Sequence, residues 1–144
     1  MEINRIAHLT GHNGAVFAVA EGEAKHFVIS GAGDGWIAQW DLNNPEQGRL
    51  IAKADAHIYS ICFVKEKQLL LLGDMNGGIH WIKVHAPEEQ KNIAHHTNGV
   101  FSIQFFDQHI FTVGGDGVLS KWSLEKQRCV DSVQLSTQSL RTFA

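Results

Sequence analysis

Three side chains near the N-terminus are of the types used in nucleophilic catalysis: Ser30 as nucleophile, His12 as base and Asp34 as the group that orients the base. In that role they would carry out hydrolysis. A comparable set, Thr112, His96 and Asp116, recurs later in the chain, which marks a repeated feature and not a single reacting centre. His95 and His96 are adjacent, with Lys91 and Asn92 nearby. Neighbours on a strand point to opposite faces, so these are poor joint ligands and no metal is expected. Gly31 to Gly35 reads GAGDG but lacks the Lys and the helix of a phosphate-binding loop. Cys62 and Cys129 lie far apart with no CxxC spacing, so neither a disulfide framework nor a zinc site is suggested, and no cofactor is expected.

Composition bounds the elements that hold these groups. The chain has 144 residues, 44% hydrophobic and 19% charged, enough apolar material for the core of one ordinary domain. Twelve basic and 15 acidic residues give a formal net charge of −3, with no block of one sign. That balance argues against nucleic acid and against an anionic membrane as partners. The N-terminus has no apolar signal-peptide core, and no run approaches the roughly 18 apolar residues of a membrane span. A reducing compartment, most simply the cytoplasm, fits.

Three segments align. They are GHNGAVFAVAEGEAKHFVISGAGDGWIAQWDL from Gly11, AHIYSICFVKEKQLLLLGDMNGGIHWIKV from Ala56 and HHTNGVFSIQFFDQHIFTVGGDGVLSKWSL from His95. Val16, Ile58 and Val100 stand 42 residues apart in succession, and Asp34, Asn76 and Asp116 stand 42 and then 40 apart. A period of about 40–45 belongs to propeller blades of four strands. In each unit VFAVA, IYSICF or VFSIQFF reads as a first strand, and HFVIS, QLLLLG or HIFTVG as a second, buried on both faces. WIAQWDL, GIHWIKV or VLSKWSL reads as a third, and the polar GRLIAKA, QKNIAHH or RCVDSVQL as an outer fourth. Asp34-Gly35, Asn76-Gly77 and Asp116-Gly117 predict two-residue hairpin turns with φ > 0 at both central residues. Glu21-Gly22-Glu23 and Lys65-Glu66-Lys67 read as solvated connectors, and Asn43 to Gly48 as a loop.

The pattern resembles the WD-repeat family over nearly the whole chain. The first unit carries both signature dipeptides, Gly11-His12 and Trp40-Asp41. The resemblance implies a buried hydrogen-bonded tetrad in each matching blade: His12, Ser30, Asp34 and Trp40 in the first, and His96, Thr112, Asp116 and Trp122 in the third. The second unit departs, with Ala54, Leu72, Asn76 and Ile82 at those places and Trp81 one residue off. It is expected to lack the tetrad and to rely on packing. The implied fold is all-β, a partial propeller of four-stranded antiparallel blades. Three full blades (repeats at about 9–50, 51–92 and 93–134) are flanked by an outer strand, EINRIAHL, and by the inner strand of a fourth repeat, 135–144. Such a segment does not close a ring of about 4–8 blades. Completion is expected from missing C-terminal blades of a longer chain or from a second chain, the abrupt stop in Leu140 to Ala144, in mid-strand with no polar cap, favouring the former.

By the same resemblance, the residue after the first apolar position of each inner strand lines the mouth of the central channel. These are Phe17, Tyr59, Phe101 and Arg141, with Met75 in the neighbouring turn. They are the candidate partner-binding residues, and three aromatics there suit a peptide side chain or a cation. The implied function is a protein-interaction scaffold that holds a protein or peptide. The alternative is a propeller enzyme of hydrolase or lyase type whose site lies in blades not present here. The inner-strand triplets Val16-Phe17-Ala18, Ile58-Tyr59-Ser60 and Val100-Phe101-Ser102 carry neither carboxylate nor imidazole, which argues against catalysis in this segment.

Overall fold

The chain, described here for residues 1–5 and 7–142 from a computed structural model, folds into three four-stranded antiparallel sheets. The first contains β1 (Val16–Glu21), β2 (Phe27–Ala32), β3 (Trp36–Asp41) and β4 (Gly48–Lys53). The second contains β5 (Ile58–Val64), β6 (Leu69–Asp74), β7 (Gly78–Lys83) and β8 (Ala86–Ala94), and the third β9 (Val100–Phe106), β10 (His109–Gly114), β11 (Val118–Ser123) and β12 (Arg128–Gln134). Strand order follows chain order in every sheet, as in a meander. Only Lys65–Lys67 forms a helical turn, a 3-10 turn, among the described residues.

Burial follows position in the blade. The apolar run LLLLGD makes β6 buried at every residue, while β12 is almost wholly exposed. The sheets stack through two apolar layers. Ile29 and Ile37 of the first sheet meet Ile58, Leu70, Leu72 and Ile82 of the second. Leu71, Ile79 and Trp81 of the second meet Val100, Ile110 and Trp122 of the third. Residues on opposite faces of one middle strand, such as Leu71 and Leu72, thus belong to different layers, which explains the unbroken apolar run.

Two expectations change. The hairpin between β2 and β3 is a three-residue loop in which Gly35 N donates to Ala32 O at 3.1 Å; Gly117 does the same to Gly114 at 3.1 Å. Within these three turns only the glycines have positive φ (75°, 91° and 75° at Gly35, Gly77 and Gly117), whereas Asp34, Asn76 and Asp116 do not. This is the turn-plus-left-handed-residue form of hairpin, not the two-residue form. It leaves the Asp side chain free to accept from the strand that follows. A Cβ on these glycines would also collide with the carbonyl of Ala54, His96 or Ser136, where the next chain segment crosses the turn.

The second change concerns the flanking strands. Residues 1–5 and 7–10 are not a strand, and neither are 135–142; Ile6, Phe143 and Ala144 lie outside the described residues. An outer strand pairs only with the third strand of its own blade, and an inner strand with the second. Neither partner is present for these segments among the described residues. Leu140 nevertheless docks on the third sheet, its N–H donating to Gly114 O at 3.0 Å. The first sheet ends at Lys53, within the expected outer strand GRLIAKA, and Ala54 N donates to Gly35 O at 2.8 Å.

Candidate functional site

In the first blade, Trp40 Nε1 donates to Ser30 Oγ at 2.7 Å and the Ser30 hydroxyl lies 2.7 Å from His12 Nε2. His12 Nδ1 faces the Asp34 carboxylate at 3.2 and 3.3 Å. The network assigns the tautomer: Nδ1–H donates to the acceptor-only carboxylate, and Nε2 accepts from the hydroxyl. Asp34 also accepts from Asn13 N at 2.8 Å and Trp36 N at 2.9 Å. Burial alone would raise its pKa, but the N–H groups of Trp36 and Asn13 and the imidazole of His12 outweigh that and hold it below the ordinary value. The Ser30 oxygen accepts from the Trp40 indole and the residue is only 5% exposed, so Ser30 is a clamp and not an available nucleophile.

The third blade repeats this. Trp122 Nε1 donates to Thr112 Oγ1 at 3.0 Å, His96 Nε2 lies 2.8 Å from that hydroxyl, and His96 Nδ1 lies 3.0 Å from Asp116. Thr97 N and Val118 N complete the carboxylate's partners at 3.0 and 3.2 Å. Burial opposes its ionisation, yet these donors and His96 leave the Asp116 pKa lowered.

In the second blade, Ala54, Leu72, Asn76 and Ile82 form no tetrad, and Leu72 and Ile82 pack into the first apolar layer. The expectation that this blade relies on packing alone is corrected, because it buries a different polar pair. Asp74 is 2% exposed and His80 7%. His80 Nε2 lies 2.8 Å from Asp74 Oδ2, and Asp74 Oδ1 accepts from Asn76 N and Gly78 N at 2.8 Å each. The available signal was an Asp closing an otherwise apolar strand, with a His six residues later, diagonally across the hairpin. Trp81 turns to the other layer, 6.2 Å from Trp122, and its buried indole N–H has no partner among the described residues.

Phe17, Tyr59 and Phe101 occupy one structural position. Val16 pairs with Ala32 and Ala18 with Gly31, so Phe17 is the extra residue of a bulge. Tyr59 and Phe101 are skipped in the same way. A bulge re-aims its side chain, and here it turns all three rings to one side of the molecule. Phe17 meets Tyr59 edge-on at 5.2 Å, and Tyr59 stacks on Phe101 at 5.3 Å with planes 6° apart. The Arg141 guanidinium lies 4.5 Å above Phe101. The four residues line a concavity of about 430 Å³. Phe17 remains 49% exposed, and Met75, 40% exposed, sits in the adjoining turn. The rings thus both pack between blades and present a surface. Arg141 already takes the outer face of Phe101, so a cation entering from outside meets a filled position.

Residues 3–41 match the family model described as WD domain, G-beta repeat. The WD40 β-propeller domain of Doa1 superposes with a TM-score of 0.81 at 24% identity, covering 93% of this chain and 45% of that one. Residues 3–41 are a WD repeat, and the chain has the fold of a β-propeller segment. The computationally designed Ika4 protein gives a TM-score of 0.76 at 18% identity, over 96% of this chain and 84% of that one. Mitochondrial division protein 1 of Vanderwaltozyma polyspora is 20% identical over 133 residues, 92% of this chain. The chain spans only 15% of that relative's length.

One further reading of this propeller segment is corrected. His95 and His96 do not point to opposite faces; their rings lie 5.0 Å apart, because both residues follow the end of β8 and are free of strand alternation. They serve different partners: His95 Nε2 lies 2.7 Å from the buried Ser120 hydroxyl. Burial, and then the neighbouring His96, lower the His95 pKa. Among the described residues no three His, Cys, Asp or Glu side chains converge as a metal site.

Proposed function

We propose that this WD-repeat segment supplies three adjacent blades of a protein-binding platform, and that a peptide or protein partner docks at the aromatic mouth of Phe17, Tyr59, Phe101 and Arg141. The observation that carries the reading is the threefold use of one bulge to aim an aromatic at the same side. Packing alone does not require a large ring at an unpaired position in three consecutive blades. Aromatics and Arg are favoured interface anchors because they bury much area at little entropic cost. A binding role and not a catalytic one is supported by the two Ser/Thr–His–Asp sets being internally satisfied clamps. A cytoplasmic setting is supported by two unpaired cysteines, with burial pushing the Cys62 thiol up to about 11.

The test is a displayed random-peptide library selected on the chain and then measured on Phe101→Ala. Enriched peptides are expected to lose at least tenfold in affinity while the variant keeps its fold. Peptides that bind both forms equally would remove the mouth from the proposal. We propose also that further blades, from a longer chain or a second one, cover the free flank of the first sheet. Val19, Leu50 and Trp36 are exposed there, an apolar group of the kind that marks an interface. The 144-residue chain is then expected to self-associate, and a monodisperse monomer in light scattering contradicts a second copy as the cover.

A further inference from the structure

The second blade differs from its neighbours at four places that meet at one spot. Register pairs Asp74 with Ile58 where the other blades have Ala32 and Gly114. His80 stands at the place of Ala38 and Ser120, facing Leu72 as they face Ser30 and Thr112. Gly78 stands where the others carry Trp36 and Val118. Ala54, whose N–H donates to the preceding turn as His96 N does, stands at the place of the tetrad histidine. These four small or relocated side chains open a cavity of about 410 Å³ at the seam between the first and second blades. That lies within the usual range for a ligand site.

Its floor is built of acceptors. Asp74 and His80 line it, and so does Asn92, which pairs with His80 across β7 and β8. A Cβ on Gly78 would fall 2.5 Å from both Asp74 Oδ2 and Asn92 Oδ1, so only glycine leaves this floor open. Asp74 uses three acceptor positions, two on Oδ1 and one on Oδ2, of about four that a carboxylate offers. His80 is 7% exposed as a residue, and its Nδ1, which faces the open side of the cavity and not a dry interior, carries no hydrogen bond among the described residues. Ala54, Ala56 and Ala94 supply apolar wall, while Lys53 and Asp55 at exposed positions offset each other.

We propose that this cavity is a binding site for the guanidinium group of an arginine side chain from a protein partner. A guanidinium is planar and rich in donors, with an aliphatic stem behind it. Its N–H groups meet the Asp74 carboxylate and the Asn92 carboxamide, and its stem lies along the alanines. A planar nitrogen head suits the place, since in the sister blades an imidazole spans a carboxylate and a hydroxyl there. Bringing the arginine on a protein rests on the platform reading above; the pocket itself does not.

The test titrates ethylguanidinium, ethylammonium and acetate into the isotope-labelled 144-residue chain, following the signals of His80 and Asn92 by NMR. Ethylguanidinium is expected to give saturable shifts at both residues, with ethylammonium at least threefold weaker and acetate without effect. Ala54→His, which returns an imidazole to the cavity, is expected to abolish the shifts. Asp74→Asn is expected to weaken binding at least tenfold, its fold checked by the amide spectrum of the first and third blades. Absence of saturable shifts, equal shifts with acetate, or undiminished binding in Ala54→His would overturn the proposal. The probe needs no partner, so its failure removes this pocket alone, whereas a failed peptide selection removes the mouth alone.

Discussion

The first and third blades keep their carboxylate in the hairpin turn, whereas the second keeps it two residues earlier, inside the sheet. Asp34 and Asp116 each accept a backbone N–H from the incoming segment, Asn13 and Thr97, as well as one from their own hairpin, Trp36 and Val118. They staple the chain that leads into a blade to the turn of that blade. Asp74 accepts only from its own hairpin, through Asn76, Gly78 and His80. It ties the turn to itself and leaves residues 54–57 to two backbone bonds, Ala54 N to Gly35 O and Met75 N to His57 O. The same register thus accepts two polar solutions. What a blade requires is a satisfied donor set at the hairpin, not one fixed group of residues. The second solution moves the imidazole onto a strand and so leaves a cavity where the first has a ring.

The sharpest break of this comparison is Asp74→Ala. It strands two backbone donors and a buried imidazole, so a loss of about 3–5 kcal/mol in urea denaturation is expected. Asp34→Ala, nearer the surface, is expected to cost less; an equal cost would mean that burial of the pair does not matter. Next comes the histidine position. His96→Ala leaves the buried Thr112 hydroxyl and the Asp116 carboxylate short of a partner, and a loss of about 2 kcal/mol is expected. Ala54→His meets Leu72 and Asn76 where its sisters meet a hydroxyl and a carboxylate, so it is expected to change stability by less than about 0.5 kcal/mol. A gain approaching the loss at His96 would show that the imidazole alone makes the clamp.

These differences also mark what could be read from the chain beforehand. His12, Ser30, Asp34 and Trp40 are readable because each sits at a fixed offset from a signature dipeptide, and the offset is set by strand length and turn. The three bulged aromatics are readable for the same reason, their place being counted from the first apolar residue of the strand. Asp74 and His80 are not, because aligning the second unit on its sisters directs attention to Ala54, Leu72, Asn76 and Ile82, where nothing polar remains except an amide. An Asp at the end of LLLLG resembles an ordinary strand terminus unless Gly78 is seen to make room for it. The turn form is not legible in the sequence because Asp-Gly fits two hairpin types, and only the negative φ of Asp34 and Asp116 distinguishes them. The flanking segments 1–10 and 135–142 carry strand-like sequence, but strands exist only where a neighbour is paired, and sequence periodicity does not report the absence of that neighbour.

A smaller effect sharpens the contrast in local motion. Thr97 N is held by Asp116, whereas the equivalent Asp55 N has no hydrogen-bond partner among the described residues. Amide exchange is governed by local opening. The Asp55 amide is therefore expected to exchange at least about tenfold faster than that of Thr97 under native conditions. Equal protection would mean that the 54–57 segment is held by something other than the carboxylate.

The smallest effect is the response to acid. Burial works against ionisation of Asp34 and Asp116, but backbone donors and the facing imidazole win, so both fold with a depressed pKa. A carboxylate of this kind binds fewer protons folded than unfolded at a given pH near its titration. Its contribution is complete above the ordinary value of 3.8 and is lost as pH falls through the lower folded value. Stability is therefore expected to be level from neutral pH down to about 4 and to decline below it. Asp34→Asn with Asp116→Asn should lower stability at neutral pH and flatten the acid limb, because the groups that take up protons on unfolding are gone. If the double variant instead keeps the full acid limb, the proton uptake belongs to other carboxylates, and the two turn aspartates stabilise their blades through geometry alone.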